Sequence, residues 1–223
     1  MEVQEAIQKI TSQFPNGVQL VAVSKYHPKE AILEAYEAGQ RIFGESKIQE
    51  LCAKEQSLPT DIQWHFIGHL QRNKIKYIVP FISLIHSIDS VQLLQEVNKQ
   101  AAKKERVIPC LLQVHIAQEE TKYGFSLEEC KQFCMRKEWQ DLENIEIHGL
   151  MGMATNTKDQ QQVEQEFESL HQLFCALKES CFQEHAYFKE LSMGMSNDYP
   201  LAVAHGSTLV RIGTSIFGKR AYT

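Results

Sequence analysis

The chain has 223 residues, a formal net charge of -5 and a sequence pI near 6.0. This mildly acidic balance gives no reason to expect nucleic acid or an anionic membrane as a partner. Hydrophobic residues make up 43% of the chain but occur in short runs, all well below the roughly 18 residues that suggest a membrane span. The N-terminus also lacks the basic and apolar regions of a signal peptide.

The six cysteines predict a reducing compartment. They form no C-x-x-C pair, and Cys130 and Cys134 lie one helical turn apart, which suits neighbours on one helix face. We interpret the six cysteines as reduced thiols rather than as a disulfide framework, so we expect a cytoplasmic protein.

Strand and helix patterns alternate along the chain. An amphipathic helix is predicted first, at 3–13. Strand-like runs follow at 18–23, 41–44, 64–68, 84–88, 109–116, 145–151, 189–193 and 208–213. Helical patterns lie between them at 29–38, 46–56, 70–78, 90–104, 126–137, 159–180 and 197–205, and a short terminal helix begins near Ser215.

This alternation predicts an α/β fold with a parallel sheet. Eight such units in about 220 residues favour a closed (β/α)8 TIM barrel, a single domain spanning 1–223 with an additional N-terminal helix. Because several strands are short, an open sheet of six or seven strands is the alternative. Active sites of such barrels lie at the C-terminal ends of the strands, where the sequence places Lys25, Glu45, His69, Ser87, Met151, Ser196 and the Gly213-Thr214 turn.

Lys25 follows the first predicted strand almost directly and is a candidate for a Schiff base. A lysine at the rim of a core is partly desolvated, which disfavours the ammonium, lowers the pKa and frees the amine to attack a carbonyl. Taken alone, Lys25 is explained more simply as a side chain that reaches back to water.

The last two strands end in residues that suit a phosphate. Gly213 permits a close backbone approach, and Thr214 opens a short helix whose free N–H groups favour anions. Barrels often bind a phosphate after strands seven and eight, and Ser196 would form its second wall. Ser196 is interpreted either as the N-cap of the next helix alone, or as cap and phosphate contact together.

Arg211 lies within the apolar run of the last strand, and a buried arginine needs a partner. Either it forms a salt bridge with a core carboxylate, or it donates to a ring nitrogen or phosphate of a ligand. A lysine after strand one and a phosphate site after strands seven and eight together suit an aldehyde that carries a phosphate. Pyridoxal 5′-phosphate (PLP) fits this description.

Several long motifs occur in order along most of the chain. They include AVSK at 22–25, FGE at 43–45, WHFIGHLQ at 64–71, HSIDS at 86–90, GLM at 149–151, LSMGMS at 191–196 and VRIGT at 210–214. In these motifs the chain resembles the pyridoxal phosphate homeostasis proteins, which are single-domain relatives of the alanine racemase barrel. The resemblance implies a barrel that binds PLP as its cofactor.

The resemblance also implies a role for each of five residues. Lys25 holds PLP as a Schiff base, and Arg211 faces the pyridine nitrogen. Ser196, Gly213 and Thr214 bind the phosphate.

Two positions depart from the family pattern. Ser46 and His115 each stand where the family usually has asparagine. We assign no role to either residue.

The first functional hypothesis is a PLP-binding protein that stores, buffers or delivers the cofactor inside the cell, with apo-enzymes as recipients. The alternative is a racemase-like PLP enzyme with weak activity on amino acids. Racemisation needs an acid–base group on each face of the substrate, and in the racemase relatives the second group comes from an additional domain of the partner subunit. Because the barrel accounts for the whole chain, we expect binding without significant turnover, by a monomer or weak dimer.

A third class is a metal-dependent barrel hydrolase. His65 and His69 have the i, i+4 spacing of a helical ligand pair. However, His65 lies in a predicted strand and His69 just beyond it, so this spacing does not imply a shared face. His86, His115 and His148 also lie in predicted strands and are interpreted as core or rim histidines bonded to neighbours. We therefore predict no metal site.

Overall fold

The computed structural model describes residues 3–119 and 123–218. Eight strands occur in these described residues, close to their predicted positions. They are β1 (Gln19–Val23), β2 (Ile42–Glu45), β3 (Gln63–Phe66), β4 (Leu84–Ile88), β5 (Ile108–Val114), β6 (Ile145–Gly152), β7 (Glu190–Met195) and β8 (Leu209–Ile212).

Helices separate the strands, as the alternating pattern predicts. They are α1 (Val3–Thr11), α2 (Lys29–Glu37), α3 (Ile48–Glu55), α4 (Ile75–Ile78), α5 (Val91–Ala102), α6 (Leu127–Arg136), α7 (Gln160–Ser180), α8 (Tyr199–Ala204) and α9 (Thr214–Phe217). The N-terminal helix α1 buries Val3, Ala6, Ile7 and Ile10, the spacing of a single helix face.

The strands form a closed parallel barrel. Each strand pairs with its successor, and β8 pairs with β1, where Val21 lies opposite Arg211 and Ala22 opposite Ile212. This closure confirms the predicted (β/α)8 barrel and excludes the open sheet. Because all strands run in the same direction, their C-terminal ends meet at one end of the barrel.

Side chains on the inner strand faces fill the barrel. A buried cluster separate from the larger core between strands and helices is formed by Val21, Leu84, Leu111, Met151 and Leu209. Residues two positions apart share a strand face, so Arg211 continues the inward row that Leu209 begins. Polar side chains thus follow the apolar cluster towards the C-terminal ends of the strands.

One predicted helix differs in the structure. The pattern at 70–78 becomes a 3-10 turn, Arg72–Lys74, followed by the short helix α4. The preceding chain is in close contact with the loop after β2, since a Cβ on Gly68 would lie 2.3 Å from the carbonyl oxygen of Ser46. The backbone is still extended at Gln71, so helical geometry begins only after this contact.

The six cysteines all carry free thiols, as predicted. Cys130 and Cys134 are buried neighbours on α6. Across residues 3–119 and 123–218, no helix combines the length and apolar character needed to cross a membrane.

Candidate functional site

A cavity of about 760 Å³ lies at the C-terminal end of the barrel. Its walls come from the ends of β1, β6, β7 and β8. All five residues predicted to bind the ligand line this cavity: Lys25, Ser196, Arg211, Gly213 and Thr214. The structure therefore brings together residues that lie far apart in the sequence.

Lys25 occupies a tight turn directly after β1. The turn closes with a hydrogen bond of 3.0 Å from the N–H of His27 to the carbonyl oxygen of Ser24. Tyr26, the next residue, has a φ of 65°. A positive φ at this third turn position is typical of type II turns and usually requires glycine or asparagine. The backbone beside Lys25 is therefore held in a conformation that its sequence does not favour.

Arg211 is buried and belongs to a chain of polar side chains inside the barrel. Its guanidinium donates to the Ser192 hydroxyl and, at 3.0 Å, to the carbonyl oxygen of Gly152. Ser192 Oγ lies 2.9 Å from Nδ1 of His86, whose Nε2 lies 3.0 Å from Nδ1 of His65. Because arginine can only donate, the Ser192 oxygen accepts from Arg211, and the Ser192 hydroxyl can donate its own hydrogen to His86.

Burial sets the charges along this chain. It lowers the pKa of His65 to about 3 and that of His86 well below its usual value, so both imidazoles are neutral at pH 7. It also lowers the pKa of Arg211 to about 10, against the opposing effect of Asp198, so the guanidinium stays charged. The barrel interior thus places the Arg211 cation next to the cavity, backed by neutral polar groups.

The end of β7 corrects one prediction. Ser196 is not the N-cap of α8, because Asp198 occupies that position and the helix begins at Tyr199. Gly194, still within β7, has a φ of 91°, and a Cβ there would lie 2.6 Å from that of Ala202. The turn into α8 follows at 196–198. Ser196 therefore lies two residues before the cap position, in the cavity wall.

The end of β8 agrees with the sequence analysis. Gly213 approaches β1 closely, since a Cβ there would lie 2.9 Å from the carbonyl oxygen of Val23. Thr214 begins α9 as predicted. Gly213 and Thr214 thus form the cavity wall next to Lys25.

One wall of the cavity was missed by sequence reasoning. The loop after β6 lines it with residues 153–158, including Lys158. Glu166 of α7 fixes this loop, since its carboxylate accepts from the N–H of Thr155 at 2.6 Å and from the Thr155 hydroxyl at 2.7 Å. The only signal in the sequence for this wall was that residues 153–158 follow strand six, at the end of the barrel where sites lie. Nothing in the local sequence indicates that Glu166 holds the loop.

The other predicted strand-end residues lie elsewhere. Glu45, Ser87 and Met151 are buried. His69 pairs with Asp89 at 3.2 Å and stacks on Tyr123.

The histidines form pairs with neighbours instead of a shared ligand set. His65 contacts His86, and Nε2 of His148 lies 2.9 Å from Glu146. His115 lies just beyond β5, not within it as predicted, and its Nε2 lies 2.9 Å from the carbonyl oxygen of Glu119. No group of three His, Cys, Asp or Glu side chains suited to a metal ion occurs in the part of the chain that the structure describes.

Comparison with known families identifies the class of this barrel. The family model for the alanine racemase N-terminal domain matches residues 2–221. A pyridoxal phosphate homeostasis protein from Vibrio alginolyticus is 37% identical over 236 residues, covering 99% of each chain. One from Schizosaccharomyces pombe is 39% identical over 220 residues, covering 97% of this chain and 91% of the relative. The chain therefore belongs to the alanine racemase N-terminal domain family and, within it, to the pyridoxal phosphate homeostasis proteins.

Solved structures agree with this assignment. PipY of Synechococcus elongatus, solved with PLP bound, is 36% identical with a TM-score of 0.87, covering 97% of this chain and 100% of PipY. An alanine racemase from Clostridium difficile is 12% identical with a TM-score of 0.75, and the match covers 99% of this chain but 56% of the racemase. The racemase likeness shows the fold alone.

Proposed function

We propose that this chain binds PLP through Lys25 and serves PLP homeostasis by storing, buffering or delivering the cofactor. The observation that carries the proposal is the convergence of Lys25, Ser196, Arg211, Gly213 and Thr214 on one cavity. The names of the curated relatives and the PLP bound to PipY support it.

The chemistry of the cavity fits PLP. Lys25 offers a primary amine for the aldehyde, and Arg211 offers a donor-only guanidinium for the pyridine nitrogen. Ser196 and Thr214 offer hydroxyls for the phosphate, and Gly213 leaves room for the backbone to approach it. The cavity of about 760 Å³ also lies within the roughly 300–1,000 Å³ typical of small-molecule sites.

The polar chain behind Arg211 favours holding the cofactor over turning substrates over. PLP supplies an aldehyde that condenses with amines, and it acts as an electron sink most strongly when its ring nitrogen is protonated. Arg211 keeps its own proton and can only donate, so a nitrogen opposite it must accept and stay unprotonated. Ser192 and Gly152 hold the guanidinium in this position.

The proposal extends to the domain organisation, compartment and partners of the protein. We propose that residues 1–223 act as one PLP-binding domain in the cytoplasm, as a monomer or weak dimer. Its partners would be PLP itself and apo-enzymes that receive it, with no nucleic acid or membrane involved. The net charge of -5 supports the last point.

The test is to reduce the PLP-loaded protein with borohydride and map the modified peptide. The pyridoxyl group is expected on Lys25, and Lys25→Ala should remove the visible Schiff-base absorbance while the fold persists. Lys158→Ala is the matched control, because Lys158 lines the same cavity and should leave the absorbance in place. Labelling of Lys158 instead of Lys25 would contradict the proposal.

Weak amino-acid racemisation is a second candidate, and one observation favours it. Racemisation needs a second acid–base group, and Lys158 lines the cavity together with Lys25. Incubating the loaded protein with L-amino acids in deuterated water separates the candidates. Deuterium incorporation at the α-carbon at roughly 1 s⁻¹ or faster, lost in Lys158→Ala, would establish turnover. A carrier exchanges no α-proton on this timescale.

A further inference from the structure

A largely buried cluster of charges lies behind the turn that carries Lys25. Lys54 of α3 lies 2.7 Å from Oε1 of Glu45 at the end of β2, and 2.7 Å from Oε1 of Glu50, one turn earlier on α3. Glu45 and Lys54 are both buried. We call Glu45, Glu50 and Lys54 the charge cluster.

The charge cluster bonds to the residues on both sides of Lys25. On one side, Lys54 donates to the carbonyl oxygen of Ser24 at 2.8 Å, and the Ser24 hydroxyl donates to Glu45 at 2.6 Å. On the other side, the N–H of Tyr26 donates to Glu50 at 2.7 Å. The three acceptors around Lys54 match the three donors of its ammonium group.

These bonds fall on a backbone segment that needs support. Tyr26 has a φ of 65°, which side chains other than glycine, asparagine and aspartate rarely adopt. The Glu50 carboxylate holds the N–H of this residue, and Lys54 holds the carbonyl oxygen that closes the turn. The conformation beside Lys25 is thus maintained from α3 and β2.

The charge cluster is poorly explained as a device for stability. Buried ion pairs often stabilise no better than apolar residues of similar volume. Oε2 of Glu45 is buried without a hydrogen-bond partner in the described residues, and burial raises the pKa of this carboxyl despite the opposing ion pair with Lys54. What apolar replacements of the charge cluster would lose is its hydrogen bonds to Ser24 and Tyr26.

We propose that Glu45, Glu50 and Lys54 position Lys25 by clamping the backbone on both sides of it, so that its amine is aimed into the cavity before the ligand arrives. The inference rests on the proposed function, in which Lys25 binds PLP. The three members of the charge cluster are positioning residues, since they act on Lys25 through Ser24 and Tyr26.

The first test uses the protein without PLP and measures hydrogen exchange at the Tyr26 amide. This N–H should be protected in the wild type and exchange at least tenfold faster in Glu50→Ala. Glu50→Gln keeps an oxygen acceptor at the same place and should retain most of the protection. A Tyr26 amide that exchanges freely in the wild type would overturn the proposal without reference to PLP.

The second test measures PLP affinity and the rate of borohydride-trappable attachment. Glu50→Ala and Lys54→Met should each weaken binding about tenfold, the scale of a hydrogen bond to a charged group, while Glu50→Gln stays within about threefold. Asp61→Ala is the matched control, because it removes a partner of Arg41 and Tyr36 at the opposite end of the barrel. It should leave both readouts unchanged.

The outcomes separate the two proposals. If the wild type attaches no PLP to Lys25, the proposed function fails, and the clamp is judged by hydrogen exchange alone. If the wild type attaches PLP and both cluster variants match it in affinity and rate, the clamp is wrong. If Glu50→Ala does not fold, Lys54→Met and Glu50→Gln carry the comparison.

Discussion

Replacing Ser192 with alanine tests the polar chain that supports Arg211. The Ser192 hydroxyl is fully buried, accepts from Arg211 and lies 2.9 Å from Nδ1 of His86. Alanine removes the oxygen but leaves both neighbours in place. One N–H of the charged guanidinium and one ring nitrogen then lose their partner inside the barrel.

The magnitude follows from these two groups. A buried polar group without a partner costs about 1–3 kcal/mol, with more for a charged group. Two such groups predict a loss of about 3 kcal/mol or more in the free energy of unfolding. For a chain of 223 residues, each kcal/mol lowers the melting temperature by roughly 2–4 °C. We therefore expect a decrease of about 6–12 °C.

The assay is thermal and urea unfolding of the PLP-free protein, followed by PLP titration. Ser207→Ala is the control, because Ser207 is equally buried but its hydroxyl bonds to backbone carbonyls of Leu191, Met193 and Leu209. It should cost about 1 kcal/mol and preserve PLP affinity, whereas Ser192→Ala should lose at least tenfold. Equal stability and equal affinity in the two variants would refute the reasoning.

Three further predictions concern pH, the end of β8 and the phosphate. His65 and His86 bind a proton near pH 6.5 when unfolded, but burial depresses their pKa values in the fold, that of His65 to about 3. The stability that these two histidines contribute is therefore fully present above pH 6.5 and is lost towards pH 3, at up to about 1.4 kcal/mol per pH unit for each histidine. Urea midpoints that stay constant from pH 7.5 to 5 would contradict this. Gly213→Ala should weaken PLP binding at least tenfold, because its Cβ would lie 2.9 Å from the Val23 carbonyl oxygen and the end of β8 must move. Thr214→Ala should weaken binding of PLP by about 1–2 kcal/mol but leave pyridoxal unaffected in the same titration; an equal loss for both ligands would exclude a phosphate contact.

Local sequence pattern was sufficient for the barrel and for placing Lys25 at the end of its first strand. The runs at 18–23 and 84–88 are mostly apolar, as expected of strands covered on both faces, and the helical pattern between strands repeats along the chain. Lys25 and Thr214 could be found because each lies two residues after a strand end, and all strand ends of a barrel meet at one place. These features depend only on neighbours in the sequence.

Side-chain partners between distant elements could not be read in this way. The sequence left Arg211 with either a carboxylate or a ligand as partner, and the fold gave it Ser192 and Gly152. Ser196 was predicted as a helix cap, alone or together with a phosphate contact. The cap position belongs to Asp198, because α8 begins only at Tyr199.

The sequence by itself thus determined the elements, their order and the strand end that carries Lys25, because these follow from periodicity and local conformational preference. The tertiary structure alone decided what surrounds that lysine. Lys54 reaches Ser24, 30 residues earlier, only because α3 packs beside the ends of β1 and β2. Such contacts depend on the distance and rotation between packed elements, which no local pattern encodes.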